Sequence, residues 1–166
     1  MNPAHLHLLV NHIAPLATAF SVVVLLLALV QRSSAHTLRT AVCLMLIGSA
    51  GAIIADETGD DAEDYVEAFP GVGHEPIHEH KRTAEPAIVM SVIAGLIGLL
   101  GAVIDAVSGG RRRVLVTTVL LVASGAATAA LLNAAYTGGQ IRHPEAVPGF
   151  DVKQLAEPAD LEKAAL

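Results

Sequence analysis

Histidine is the residue type on which any chemistry in this chain would turn. The opening "HLHLLVNH" holds His5, His7 and His12, with Asn11 ahead of the last. "GHEPIHEHKR" supplies His74, His78 and His80, and "QIRHPE" supplies Arg142, His143 and Glu145. Imidazole nitrogens bind transition metals and exchange protons near neutral pH, so a cluster of them points to a metal centre or a cofactor iron. Other chemistries lack their residues. There is no CxxC or HExxH, and the lone Cys43 falls in an apolar run, where a small packed hydrophobe is expected. "EPIH", Glu75 to His78, has the ExxH spacing of carboxylate-bridged di-iron bundles, but those use two such motifs and one occurs here. No Ser-His-Asp arrangement, phosphate loop or basic nucleic-acid surface is present.

The elements that must position these histidines are hydrophobic. The chain has 166 residues, 53% of them hydrophobic, with no Trp and a net charge of −6. A bilayer core needs about 20 apolar residues to cross. Four runs meet this: 6–30, 37–55, 86–107 and 114–136, leaving an outer loop 56–85, a membrane domain 1–141 and a polar tail 142–166. The expected fold is all-α, an integral membrane four-helix bundle with a short amphipathic helix in the outer loop. The later spans are rich in Gly, Ala and Ser, which lets backbones approach closely in lipid. The first span has no basic residue before it and is longer than a signal-peptide core, so cleavage is not expected.

Charge sets orientation. The connections "QRSSAHTLR" and "SGGRRR" carry Arg32, Arg39, Arg111, Arg112 and Arg113, and basic loops stay inside. Both termini and the loop 56–85 then face outward, toward the periplasm of a bacterial inner membrane. Every acidic residue except Asp105, and every histidine except His36, falls on that side. Topology alone would gather the histidines at one end.

Asn2 can cap and Pro3 suits a first turn, so the first helix is expected to begin before His5. Along one continuous helix His5 and His12 share a face about 10 Å apart, and His7 lies opposite, near Asn11. His12 is then the deepest histidine. Two solutions fit it: metal ligation completed by His80, His78 or His143, or simple packing against a backbone or carboxylate partner. Haem b between two histidines suits an apolar bundle, with Arg142 or Arg82 available to propionates. The expected axial pair is His12 and His80, and the wider metal-binding set is His7, His12, His78, His80, His143 and Glu63. In the middle loop, Asp60 and Glu63 suit a helix start. Ala62, Tyr65, Val66 and Phe69 recur at helical spacing, Pro70–Gly71 ends the segment, and Pro86 either kinks the next helix or begins it.

"HLHLLVNHIAP", "TGDDAEDYVEAFPG" with His80 after it, and "GGQIRHPE" resemble the signature blocks of a family of small bacterial four-span membrane proteins of unknown function. That family reads HxHxxxNHxP, TGxxAExxVExxPG and GGxIRHxE; here Ala14 intervenes before Pro15. The resemblance covers nearly the whole chain and marks His7, Asn11, His12, Thr58, Gly59, Glu63, His80 and Gly138 to Glu145 as matching positions. Related membrane families are associated with haem or iron-sulfur carriers, which implies a redox role and no catalytic assignment. The expected function is a membrane redox protein binding haem b, or another transition metal ion (Fe, Cu or Zn), at its periplasmic face. It would exchange electrons with quinone or a periplasmic carrier, as a monomer or homo-oligomer, without nucleic acid. The alternative is copper/zinc handling or a purely structural accessory role.

Overall fold

The computed structural model describes residues 2–31, 34–67 and 74–143. It is all-helical: α1 Pro3–Val10, α2 Ile13–Val30, α3 Ala35–Glu67, α4 His74–Val107 and α5 Arg113–Gln140. Four segments are long and apolar enough to cross a membrane, with α1 and α2 together forming the first, as a multi-pass membrane protein requires. α2 packs on α3 and α5, and α4 packs on the same two, so the four long helices close into a square, with α1 leaning on α3.

The start of α1 follows from its residues. Asn2 Oδ1 accepts from the Ala4 amide at 2.8 Å and Pro3 occupies the first turn. Its end was not foreseen. A turn at Asn11–His12 separates α1 from α2, but both turn residues keep right-handed helical angles, so His5 and His12 still share one exposed side and His7 lies on the opposite, inward one.

α3 and α4 are also longer than expected. The residues assigned to a separate amphipathic helix continue the second span without a break as far as Glu67, and Pro86 sits inside α4 rather than starting it. At 1.5 Å per residue α4 spans about 51 Å, against a hydrocarbon core of about 30 Å. The ends of α3 and α4 opposite the arginine loops exceed that thickness and form a helical pair, tied where Lys81 bridges Asp60 and Glu63. The Pro70–Gly71 stop and the tail beyond His143 lie outside the described residues.

Two kinds of core fill the square. Toward the arginine loops, Leu25, Leu38, Met45 and Leu120 are fully buried and seal the interior. Toward the histidines the core is Ala14, Ala52, Ala87, Ala134 and Leu131, small enough for close helix approach. Hydroxyls stitch neighbours between these layers: Ser21 to Ser124, Ser124 Oγ to Thr18 O at 3.2 Å, and Ser49 Oγ to Ser91 O at 2.7 Å. Cys43 is exposed on the bundle exterior instead of packed inside it.

The close approach gives a direct expectation. A Cβ at Gly95 would land on Ser49 Oγ, while one at Gly125 would meet nothing within 4 Å. Gly125→Ala is expected to leave the bundle as stable or stabilise it by about 0.5 to 1 kcal/mol through helix propensity. Gly95→Ala is expected to destabilise it by about 1 to 3 kcal/mol, the range for overpacking. Unfolding of the two variants in detergent, side by side, measures the difference.

Candidate functional site

At the end of the bundle opposite the arginine loops, two histidines are held in the same way. His7 Nδ1 lies 2.9 Å from Ala55 O and 3.3 Å from Thr58 Oγ1, and the same ring packs on Gly59. His80 Nδ1 lies 3.0 Å from Ala134 O and 3.4 Å from Thr137 Oγ1, and this ring packs on Gly138. A Cβ would stand 3.2 Å from His7 Cε1 at Gly59, and 3.0 Å from His80 Cε1 at Gly138. Each clamp therefore uses glycine because an imidazole occupies the space of a side chain.

The clamps fix proton positions. A carbonyl oxygen only accepts, so Nδ1 must carry the hydrogen in both rings. Thr58 spends its own hydrogen on Ile54 O, 2.8 Å, or Ala55 O, 3.2 Å, which leaves its oxygen as an acceptor for His7. Thr137 bonds back to Ala134 O at 3.0 Å and exchanges a hydrogen bond of 2.7 Å with Thr83. In the neutral imidazoles the lone pair is then on Nε2, the nitrogen that binds metals when Nδ1 is held by a backbone carbonyl. Burial holds the His80 imidazole below its ordinary pKa, against the Ala134 bond that favours the charged form, and charge on His7 lowers it further. One turn below His7, Asn11 Oδ1 is a buried acceptor with no partner among the described residues.

The two clamps are copies within one chain. "HLH" at His5–His7 corresponds to "HEH" at His78–His80, and "ADETG" at 55–59 to "AAYTG" at 134–138. Histidine and threonine are 51 residues apart in the first copy and 57 in the second. The correspondence continues down the helices. Ala14 and Ala87 are both buried, as are Thr18 and Ser91, and the Ser49-to-Met45 bond has its counterpart in Thr128 to Ser124. Each half is a helical hairpin, α1–α3 and α4–α5, built on one pattern.

The structure distributes the expected site residues unevenly. His80 is half-buried and clamped. His12 is exposed and caps α2 without a side-chain bond, on the same side of the first span as exposed His5. His7 takes the inward position, and its partners are Ala55 and Thr58, not Asn11. His78 is exposed, and Glu63 is engaged by Lys81. His143 and Arg142 are exposed at the end of the described residues. Arg82 forks onto Glu79, at 3.0 and 2.9 Å. His74 pairs with Glu67 at 3.0 Å. Among the described residues no group of three or more His, Cys, Asp and Glu side chains forms a metal-sized cluster.

Ala55, Ala134 and Thr137 as clamp residues escaped the sequence reading. The signal that reveals them is the internal repeat, since a search for HxH followed by AxxTG finds both copies. No family model, curated protein or solved structure matches the chain.

Proposed function

We propose that this chain is a multi-pass protein of the bacterial inner membrane that holds a redox metal, haem b or another transition metal ion, between His7 and His80. It would pass electrons between a quinone-level membrane donor and a periplasmic carrier. The observation that carries this reading is the pair of imidazoles anchored through Nδ1 so that each offers Nε2. Two neutral imidazoles are a donor set that would hold iron or another transition metal. Bound there, the metal would supply one-electron chemistry. The residues of the chain do the rest: the Ala–Thr carbonyl and hydroxyl groups orient each ring, Gly59 and Gly138 admit it, and the alanine-lined core below keeps water out.

Two further features support it. The leucine and methionine layer near the arginine loops closes the bundle interior, which suits electrons better than a permeating solute. The positions of resemblance noted above include His7, Thr58, Gly59, His80 and Gly138, five members of the two clamps. Copper or zinc handling is the competing reading, favoured by the exposed His5, His12 and His78 on the same rim.

The basic connections support the orientation. A periplasm-active reporter fused after Leu166 is expected to be active, and a cytoplasm-only reporter silent. The opposite result would turn the histidine end inward and remove the periplasmic partner. For the metal itself, detergent-purified protein is expected to show a Soret band and about one iron per chain; a colourless protein carrying copper or zinc would favour the competing reading.

A further inference from the structure

At the opposite end of the bundle, Val103, Ile104, Val107, Ser108, Arg111 and Arg112 line a groove of about 650 Å³. Its two parts differ in chemistry. Val103 and Val107 form an exposed apolar wall on α4, 58% and 82% accessible, continuous with the lipid-facing side of that helix. Arg111 and Arg112 stand at its end, in the turn to α5.

The turn places Arg111 and Arg112 side by side and anchors the Arg111 guanidinium. Gly109 and Gly110 take left-handed backbone angles, φ 59° and 79°, and the Gly110 amide bonds Asp105 O at 2.9 Å. A side chain at Gly110 would collide with Arg113, whose guanidinium forks onto Asp105 at 3.0 and 3.1 Å. Asp105 is the one acid at this end, and Arg113 takes it. Arg111 Nε donates to Ser108 O at 3.0 Å, so its remaining N–H groups project beyond the turn. Arg111 and Arg112 form no ion pair with the described residues. Two uncompensated guanidiniums at headgroup depth above an apolar wall ask for an amphiphile with a negative head.

We propose that this groove binds one anionic phospholipid of the adjoining leaflet, its phosphate on Arg111 and Arg112 and an acyl chain along Val103 and Val107. Guanidinium recognises phosphate through paired N–H donors. A zwitterionic headgroup would bring its own cation against two others, so selectivity for net negative lipid follows from the charge. The site is independent of the histidine end and stands whatever binds there.

Native mass spectrometry of the full chain, released from micelles doped with phosphatidylglycerol or phosphatidylcholine, tests it. Wild type is expected to retain one phosphatidylglycerol at collision energies that strip phosphatidylcholine. R111Q/R112Q is expected to lose that preference by about tenfold, whereas R39Q, which removes an arginine outside the groove, keeps it. Should the double variant fail to fold, the unaltered protein decides: phosphatidylglycerol raises its Tm in micelles and phosphatidylcholine does not. Equal retention of the two lipids by wild type, unchanged preference in R111Q/R112Q, or an equal loss in R39Q would overturn the proposal. Displacement of the lipid by inorganic phosphate alone would also overturn it, by showing a site for the free ion.

Discussion

Asp105→Ala is expected to destabilise the bundle by about 3 kcal/mol, the low end of the range for breaking a buried pair because Arg113 keeps partial access to water. The carboxylate is 5% exposed and accepts three hydrogen bonds from the Arg113 guanidinium, at 3.0 to 3.3 Å. Its removal strands a guanidinium beside an apolar layer containing Leu120 and Val116. Arg113→Met is expected to cost as much or more, since the more deeply buried partner would then be the unpaired one. The pair is coupled, so Asp105→Ala with Arg113→Met should lose well under the sum of the singles. Denaturant titration of the four proteins in one detergent gives the coupling directly. Additive single effects would mean that the ion pair contributes nothing as a pair.

The second large effect is expected at the upper end. Gly138→Ala places a methyl 3.0 Å from His80 Cε1 and 3.1 Å from Nδ1, so the ring must shift by a few tenths of an ångström against its hydrogen bond to Ala134. Loss of such an orienting partner typically weakens metal affinity by about ten- to a hundredfold. Gly139→Ala is the control, because its Cβ would meet nothing within 4 Å while the change in helix propensity is the same. Gly59→Ala should repeat the effect at His7, where the methyl would stand 3.2 Å from Cε1. Retention of cofactor by wild type, Gly138→Ala and Gly139→Ala is the readout. A loss shared by both alanine variants would point to helix stiffening, not to the ring.

Much of the architecture was legible because it rests on period and composition. Four apolar runs of membrane length, an Asn–Pro helix start and abundant small residues are local signals, and each appears in the structure. The histidine placement was harder. A count of 100° per residue puts His5 and His12 on one side and His7 on the other, as in the structure, but which side turns inward depends on how α1 packs on α3, and it is the His7 side. Pro15 marks the break between α1 and α2, because it has no amide hydrogen for Asn11 O and its ring crowds that carbonyl, one turn ahead of it. The helical extension of α3 was misread for the opposite reason. Gly59 and the acidic run 60–64 looked like a boundary, whereas Gly59 serves to admit His7 within an unbroken helix. Partners such as Ala55 and Ala134 act through backbone carbonyls, which side-chain motifs do not advertise. Only the recurrence of AxxTG after HxH betrays them.

The central claim is that His7 and His80, one from each hairpin, share one metal. Its most direct test is the absorption and low-temperature magnetic spectrum of purified wild type beside His7→Ala, His80→Ala and His12→Ala. The account predicts a low-spin bis-imidazole haem signature in wild type, its loss or conversion to high spin in both His7→Ala and His80→Ala, and an unaltered spectrum in His12→Ala. A low-spin signature that survives removal of either clamped imidazole, or that vanishes with His12 alone, would contradict it.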